Sequence, residues 1–187
     1  EGIYYHFSQI CKSTDLPIMV YNIPLFTASN IEPATLAKLM EFENIVAVKD
    51  EAGINPLQTS AFLKATKGKL AIYSGDDLMV LSVMSQGGIG VISGGSHVIG
   101  DMMRSMIEEF LSGDAIKASN SFKQLYELFS AFFGRNRRLT NPLPAVKKAL
   151  ALHSGLDVSR VRSPLMEIEE DEVTVLKDTL RRFGKIS

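Results

Sequence analysis

Four short apolar runs, each followed by small or polar residues, divide the first hundred residues of the chain. The strands that they predict cover residues 18–21, 45–49, 70–73 and 89–92, and the runs end at Tyr21-Asn22, Lys49-Asp50, Ser74-Gly75 and Ser93-Gly94. Runs of this length, bounded by turn residues, are typical of strands buried on both faces of a parallel sheet. Since parallel strands end at the same edge, the pattern predicts one rim that gathers polar side chains.

Apolar residues recur at helical spacing between these strands and throughout the rest of the chain. The predicted helices cover residues 3–14, 33–40, 56–68, 77–88, 101–112, 114–133, 143–153 and 171–183. Alternating strands and helices favour parallel βαβ units, and eight such units close a (β/α)₈ barrel. We therefore predict an α/β fold in which residues 1–100 form the second half of a barrel. Residues 101–187 then form the last barrel helix and a C-terminal helical extension.

The composition narrows the class of protein but names no chemistry. The chain has 187 residues, an apolar fraction of 45% and a net charge of −1, which gives no electrostatic case for binding nucleic acid or a membrane surface. The basic turn at residues 135–138 is interpreted as a solvated surface or as charges paired with a helix end, and not as a nucleic-acid patch. The single cysteine, Cys11, excludes an intramolecular disulfide and favours a reducing compartment, so we expect a cytoplasmic protein. No apolar run is long enough to span a bilayer.

Lys49 is the candidate for chemistry because it ends a strand of four apolar residues. Burial lowers the pKa of a lysine, and a neutral amine is a nucleophile toward carbonyl groups. Tyr21 ends the preceding strand, so its phenol and the amine can share one pocket if both side chains point inward. The alternatives are a lysine that reaches solvent or pairs with Asp50 or Glu51, and a tyrosine that packs at a strand end with its hydroxyl in water.

An ordered set of short motifs resembles the pyruvate-dependent class I (Schiff-base) aldolase family. The set consists of Tyr21-Asn-Ile-Pro24, Val48-Lys49, Ser74-Gly-Asp-Asp77, Gly90-Val-Ile-Ser93, Asn141-Pro-Leu-Pro144 and Val161-Arg-Ser-Pro-Leu165. Members of this family include dihydrodipicolinate synthase, N-acetylneuraminate lyase and 2-keto-3-deoxygluconate aldolase. The resemblance covers essentially the whole chain. It implies a carbon–carbon lyase that holds pyruvate or another 2-keto acid as a lysine imine.

The resemblance also assigns roles to individual residues. The Schiff-base lysine of the family falls on Lys49, and its proton-shuttling tyrosine falls on Tyr21. Gly75 matches the strand-end glycine near the bound keto acid, and Ile92 matches the residue whose backbone carbonyl faces the pocket. Asp77 falls where members that cleave sugar acids use an acid toward substrate hydroxyls. From the sequence alone, either Asp76 or Asp77 could cap the following helix, and for Asp77 this N-cap alternative is at least equally supported.

Two departures from the family pattern decide between its members. The synthase uses an arginine, five residues after the tyrosine, to hold the carboxylate of its aldehyde substrate. Phe26 stands there in this chain, and a phenyl ring cannot replace a bidentate cation. We therefore predict an enzyme that resembles 2-keto-3-deoxygluconate aldolase, with dihydrodipicolinate synthase as the alternative. The second departure is an absence. The first four strands of the family barrel, and the loop that holds the pyruvate carboxylate, are not in this chain, which begins near the helix after strand four.

That second departure leaves a different class of protein open. The chain could be a truncated, non-catalytic half-barrel that binds or oligomerises. A weaker hypothesis places a phosphate at the glycine-rich segment 93–96. The partners that we predict are a small 2-keto acid and an aldehyde, with no nucleic acid or membrane. The resemblance implies a homotetramer, and neither a cofactor nor a metal is expected.

Overall fold

The computed structural model describes residues 1–51, 53, 55–133 and 141–187. The chain divides into two compact units, Glu1–Ser93 and Gly94–Ser187. The division predicted from the sequence, at residue 100, follows the expected end of the barrel and stays a prediction. The basic turn at 135–138 lies outside the described residues. Within the described residues, no helix combines the length and the apolar character that crossing a membrane requires.

The first unit alternates helices with strands. Its elements are α1 (Gly2–Ser13), β1 (Ile18–Asn22), α2 (Pro24–Thr27), α3 (Pro33–Leu39), β2 (Ile45–Asp50), α4 (Gln58–Ala65), β3 (Ala71–Ser74), a 3₁₀ turn (Asp77–Met79), α5 (Val80–Ser85) and β4 (Gly90–Val91). The strands lie in the order β1-β2-β3-β4, and each neighbouring pair is parallel. The predicted βα alternation is therefore confirmed.

The two faces of this sheet differ in what covers them. Successive residues of a strand point to opposite faces, and the helices of the unit cover only one face, which we call the covered face. It carries Val20, Asn22, Val48, Asp50, Ile72 and Ser74, all of them buried. The other face, which we call the open face, carries Met19, Tyr21, Lys49 and Tyr73, all of them partly or largely exposed.

The core of the first unit lies between the covered face and the helices. Apolar residues from the strands and from α3, α4 and α5 meet there. The most deeply buried of them are Val20, Leu36, Leu39, Val48, Phe62, Ile72 and Val83. This packing holds the strands in a fixed register, and the register determines which side chains reach the rim.

The second unit is helical in its described residues. It contains α6 (Ser96–Leu111), α7 (Ala115–Phe132), α8 (Leu143–Ser154) and α9 (Glu170–Arg182). Its core is built from Met103, Met106, Leu125, Leu128, Phe129, Ala149, Leu176 and Leu180. Helix α8 ends where Gly155 adopts a left-handed conformation, with φ of 73°.

Two helices, α6 and α2, depart most from the prediction, and α4 and α5 are also shorter than predicted. Helix α6 begins at Ser96, five residues before the predicted start, because its first turn continues through a kink at Ile99 (φ −127°, ψ 25°). Helix α2 was not predicted, since it is a single turn that starts at Pro24 and stops where Ala28 takes a left-handed φ of 55°. So short a helix leaves no periodic pattern in the sequence.

Candidate active site

Tyr21 and Lys49 lie side by side at the carboxyl ends of β1 and β2. They are direct partners in the parallel register, and Lys49 Nζ lies 5.3 Å from the centroid of the Tyr21 ring. Both side chains belong to the open face, where 42% of the surface of Tyr21 is exposed. The structure therefore brings the two predicted catalytic side chains together on one face of the sheet.

The Lys49 amine is poised toward its neutral form. Partial burial lowers its pKa, whereas the negative charges of Asp77 and Glu51 act in the opposite direction and are the smaller influence. Among the described residues, Lys49 makes no ion pair within 4.0 Å. An amine in this setting loses its proton more readily than one in water, which is what attack on a carbonyl requires.

The Tyr21 phenol keeps its proton more tightly than a phenol in water. Partial burial raises its pKa, and the nearby charge of Glu51 raises it further. The Tyr21 ring lies beside the Lys49 amine, and a phenol next to an amine that forms an imine is a candidate for proton transfer.

Gly75 leaves the space that the Lys49 side chain occupies. A Cβ built at Gly75 would lie 2.6 Å from Ile23 Cδ1 and 3.1 Å from Lys49 Cε. The Gly75 amide donates to the Asp50 carbonyl oxygen at 2.6 Å, which ties the turn after β3 to the end of β2. The backbone at Gly75 therefore forms one wall beside Lys49, at the place where the resemblance puts the keto acid.

The acidic turn after β3 assigns different tasks to its two aspartates. Asp76 is the helix cap, because its Oδ1 accepts from the Leu78 amide at 2.8 Å. The cap predicted as an alternative for Asp77 is therefore wrong. Asp77 instead acts on Lys49 through its charge, which keeps it a candidate for contact with substrate.

The remaining two predicted site residues lie at the same end of the sheet. Phe26 lies in helix α2, directly after β1, and 49% of its surface is exposed. Ile92 follows β4, and its amide donates to the Ser74 carbonyl oxygen at 2.9 Å. Their roles toward a substrate stay predictions. The same holds for the phosphate proposed at 93–96, where α6 begins at Ser96 with Gly95 at its N-cap.

A buried polar network beneath the site was missed by sequence reasoning. Asp50 is fully buried, and its Oδ1 accepts from Asn22 Nδ2 and from Gln58 Nε2, each at 2.8 Å. Asn22 Oδ1 accepts from the Ile31 amide at 2.8 Å. Burial raises the pKa of Asp50, and the two donors oppose that effect. The sequence did contain a signal for it. Asn22 and Asp50 each follow a candidate catalytic residue directly, and consecutive residues of a strand point to opposite faces, so both are expected on the covered face.

Within the described residues, no group of three or more histidine, cysteine, aspartate or glutamate side chains is arranged to hold a metal ion.

The sheet and the side chains at its rim define a class of protein. Four parallel strands in sequential order, with helices between them, form the C-terminal part of a (β/α)₈ barrel, and a helical segment follows them along the chain. A lysine, a phenol and a glycine at the carboxyl ends of the strands are the arrangement expected of a class I aldolase.

Comparison with known proteins identifies the family within that class. The sequence profile of the dihydrodipicolinate synthetase family matches residues 1–183. A relative from Heliobacterium modesticaldum, named 4-hydroxy-tetrahydrodipicolinate synthase, is 40% identical over 184 residues, which are 98% of this chain and 59% of that protein. The chain thus belongs to the dihydrodipicolinate synthetase family, and the predicted family and fold class are confirmed.

Solved structures agree with this assignment. The dihydrodipicolinate synthase of Bacillus anthracis superposes with a TM-score of 0.85 at 39% identity, covering 96% of this chain and 59% of that one. The chloride-inhibited synthase of Acinetobacter baumannii, complexed with pyruvate, superposes with a TM-score of 0.86 at 30% identity, covering 99% of this chain and 61% of that one. The chain therefore spans about three fifths of these relatives. Their names support the synthase alternative and give no specific support to the sugar-acid aldolase that was predicted first.

Proposed function

We propose that the protein is a pyruvate-dependent class I aldolase of the 4-hydroxy-tetrahydrodipicolinate synthase type, which joins pyruvate to an aldehyde through an imine on Lys49. One observation carries the proposal: the Lys49 amine lies 5.3 Å from the Tyr21 ring on the open face of the sheet. Its lowered pKa is consistent with a nucleophilic role. The family and the names of the relatives support the same chemistry.

The proposed reaction uses the amine as a nucleophile and the protonated imine that it forms as an electron sink. Lys49 Nζ attacks C2 of pyruvate to form a carbinolamine, and loss of water gives a protonated imine. A proton then leaves C3 to give an enamine, whose C3 forms the new bond to the aldehyde carbon. Hydrolysis of the imine returns the free amine and releases the product. Tyr21 moves the protons to and from the carbinolamine oxygen and the aldehyde oxygen.

The identity of the aldehyde depends on Phe26. The resemblance places an arginine there in the synthase, where it holds a carboxylate, whereas Phe26 offers an exposed apolar ring. The second candidate is therefore cleavage of a 2-keto-3-deoxy sugar acid, with Asp77 toward the hydroxyl groups. Phe26→Arg distinguishes the two: it should improve turnover of a carboxylate-bearing aldehyde if the protein is a synthase, and leave it unchanged otherwise.

Borohydride reduction in the presence of pyruvate tests the central claim. The expected result is a reduced pyruvate adduct on the peptide that contains Lys49, and none in Lys49→Arg. Lys64→Arg, in helix α4, is the matched control and should keep the adduct on Lys49. An adduct on a different lysine of the intact protein, or on none, would refute the assignment.

A non-catalytic half-barrel is the competing proposal for the chain alone. It is supported by exposed apolar side chains on the sheet, such as Met19 and Val46. Turnover of a keto acid by the 187-residue chain would contradict it. For the protein as a whole we propose small 2-keto acid and aldehyde partners, a homo-oligomer, tetrameric by resemblance, and a cytoplasmic location, the last supported by the free buried thiol of Cys11.

A further inference from the structure

Two carboxyl groups from different loops meet beside the site. Glu51 directly follows β2, and Asp76 lies in the turn after β3. A Cβ built at Gly53 would lie 2.6 Å from Asp76 Oδ2 and 3.1 Å from Glu51 Oε1, so both carboxyl groups converge on the same glycine. Two ionised carboxylates are acceptors only and repel each other at such close range. A proton on one of the two groups removes that repulsion.

Backbone groups hold this pair in position. The Glu51 amide donates to the Asn22 carbonyl oxygen at 3.0 Å. Asp76 uses Oδ1 to cap the following turn at Leu78, and its Oδ2 lies on the side of Gly53. The pair is therefore fixed by the same strand ends that fix the site.

The surroundings of Glu51 favour the proton. Burial is the largest influence, followed by repulsion from Asp76, and together with a smaller repulsion from Asp50 they raise the pKa of Glu51 to about 7. The site groups respond to Glu51 in turn. Its negative charge raises the pKa of Lys49 and also that of Tyr21. The charge of this pair therefore influences the pKa of both the Lys49 amine and the Tyr21 phenol.

We propose that Glu51 and Asp76 are positioning residues for the Lys49 chemistry, an acid pair that shares one proton at neutral pH and so limits the negative charge beside the amine. This inference rests on the proposed function, in which Lys49 is the reacting amine. With the shared proton in place, the pair carries one negative charge and the amine is easier to deprotonate. Once that proton leaves to water, the pair carries two negative charges and stabilises the ammonium form.

Two variants of the intact protein test the pair. Glu51→Gln keeps the size and polarity of the side chain, and its amide can donate to Asp76, but it fixes the charge of the pair at one. Asp76→Asn also fixes the charge at one and retains an oxygen for the cap at Leu78. Glu43→Gln is the matched control, because Glu43 is an exposed carboxylate before β2 at the opposite end of that strand.

The readout is the reactivity of the Lys49 amine as a function of pH, measured without pyruvate. Reductive methylation with labelled formaldehyde, followed by mass spectrometry of the Lys49 peptide, gives its rate in each variant. Below about pH 6, Glu51→Gln should match the wild type, because the wild-type pair is then also singly charged. At about pH 8, methylation of Lys49 should be about three- to tenfold faster in both pair variants, from the loss of one nearby charge.

The outcomes separate the pair from the proposed function. Unchanged Lys49 rates in both variants across the pH range, or the same acceleration in Glu43→Gln, would overturn the inference even if pyruvate forms an adduct on Lys49. Accelerated rates in the two pair variants alone support the inference, and they do so even if no pyruvate adduct forms and the proposed function fails. A carboxylic-acid infrared band at neutral pH that disappears in Glu51→Gln supports the shared proton, and its absence from the wild type would overturn it.

Discussion

Consecutive residues of β1 and β2 have different roles on the two faces of the sheet, since one face carries the candidate site and the other carries buried structural contacts. On the open face, Tyr21 and Lys49 form the candidate site. On the covered face, Asn22 and Asp50 are buried and bonded to each other at 2.8 Å. Both pairs are cross-strand partners in the register of β1 with β2. One step along the backbone therefore separates candidate chemistry from structural support.

This comparison explains why the register must be specified strictly. A slip by one residue would carry every side chain of a strand to the other face. Lys49 would then enter the apolar core, where an unpaired charge costs several kcal/mol, and Asp50 would enter the site. The hydrogen bond between Asn22 and Asp50 forms only in the observed register, so it opposes such a slip.

The largest effect is expected from the phenol of the open face. Tyr21→Phe keeps the ring beside the Lys49 amine and removes only the hydroxyl group. If Tyr21 moves protons, formation of the pyruvate imine should slow by about 10²- to 10⁴-fold, with the free energy of unfolding unchanged within about 0.5 kcal/mol. Stopped-flow trapping of the imine measures the rate, and urea denaturation measures the stability.

Tyr73→Phe is the matched control for that prediction. Tyr73 is the partner of Lys49 on the other side, in β3, and it lies on the same open face. It has no assigned part in the chemistry, so its variant should retain the wild-type rate within about threefold. Equal losses in the two variants would show that the open face needs phenols in general, and no loss in Tyr21→Phe would remove Tyr21 from the mechanism.

The next effect belongs to the covered face. Asn22→Ala removes one of the two donors to the buried carboxylate of Asp50 and leaves the Ile31 amide without its acceptor. Unsatisfied buried groups of this kind cost about 2–3 kcal/mol of the free energy of unfolding. Asn30→Ala, which removes an acceptor at the edge of the same network, should cost less than about 1 kcal/mol. Similar urea midpoints for the two variants would contradict the central place given to Asn22.

A smaller effect is expected where the two faces meet, at the turn after β3. In Gly75→Ala the new Cβ would press on Ile23 and on Lys49 Cε, and displacement of the amine should slow imine formation by about 10- to 100-fold. Gly94→Ala is the matched control, because a Cβ there meets nothing within 4 Å. A wild-type rate in Gly75→Ala would mean that Lys49 tolerates the displacement.

The sequence predicted the elements of the first unit better than it predicted their side-chain contacts. The apolar run before Lys49 was enough to place β2, and the regular spacing of strands and helices was enough to place Tyr21 beside it. Three consecutive polar residues, Lys49, Asp50 and Glu51, follow that run, and their sequence does not say which one faces the rim. That choice is made by the register with β1, which is a tertiary interaction.

The contacts that were missed share the same physical origin. Asp50 bonds to Asn22, which lies 28 residues away, and Glu51 meets Asp76 from the next strand end. Neither pair has a local signature, because each forms only when two strands have paired. The sequence left the cap open between Asp76 and Asp77 for a related reason, since the two are equally good caps until the turn after β3 is built, and the structure places it at Asp76.

The smallest effect is expected from Asp50→Asn, and it concerns the sign of a pH dependence. Asp50 Oδ1 accepts both bonds, whereas Oδ2 has no hydrogen-bond partner among the described residues. An asparagine can keep the accepting oxygen, so the free energy of unfolding of Asp50→Asn at neutral pH should lie within about 1 kcal/mol of the wild type.

Burial raises the pKa of Asp50 in the folded state above its ordinary value of 3.8. The stabilisation from the protonated form is therefore complete below pH 3.8 and is lost as the pH rises through the folded-state pKa. The advantage of Asp50→Asn over the wild type should grow with pH across that range in urea denaturation, whereas Asp15→Asn, at an exposed position, should show no such growth. Parallel pH profiles for wild type and Asp50→Asn would mean that the buried carboxylate is no more costly when ionised, and the contrast between the two faces would then lose its electrostatic part.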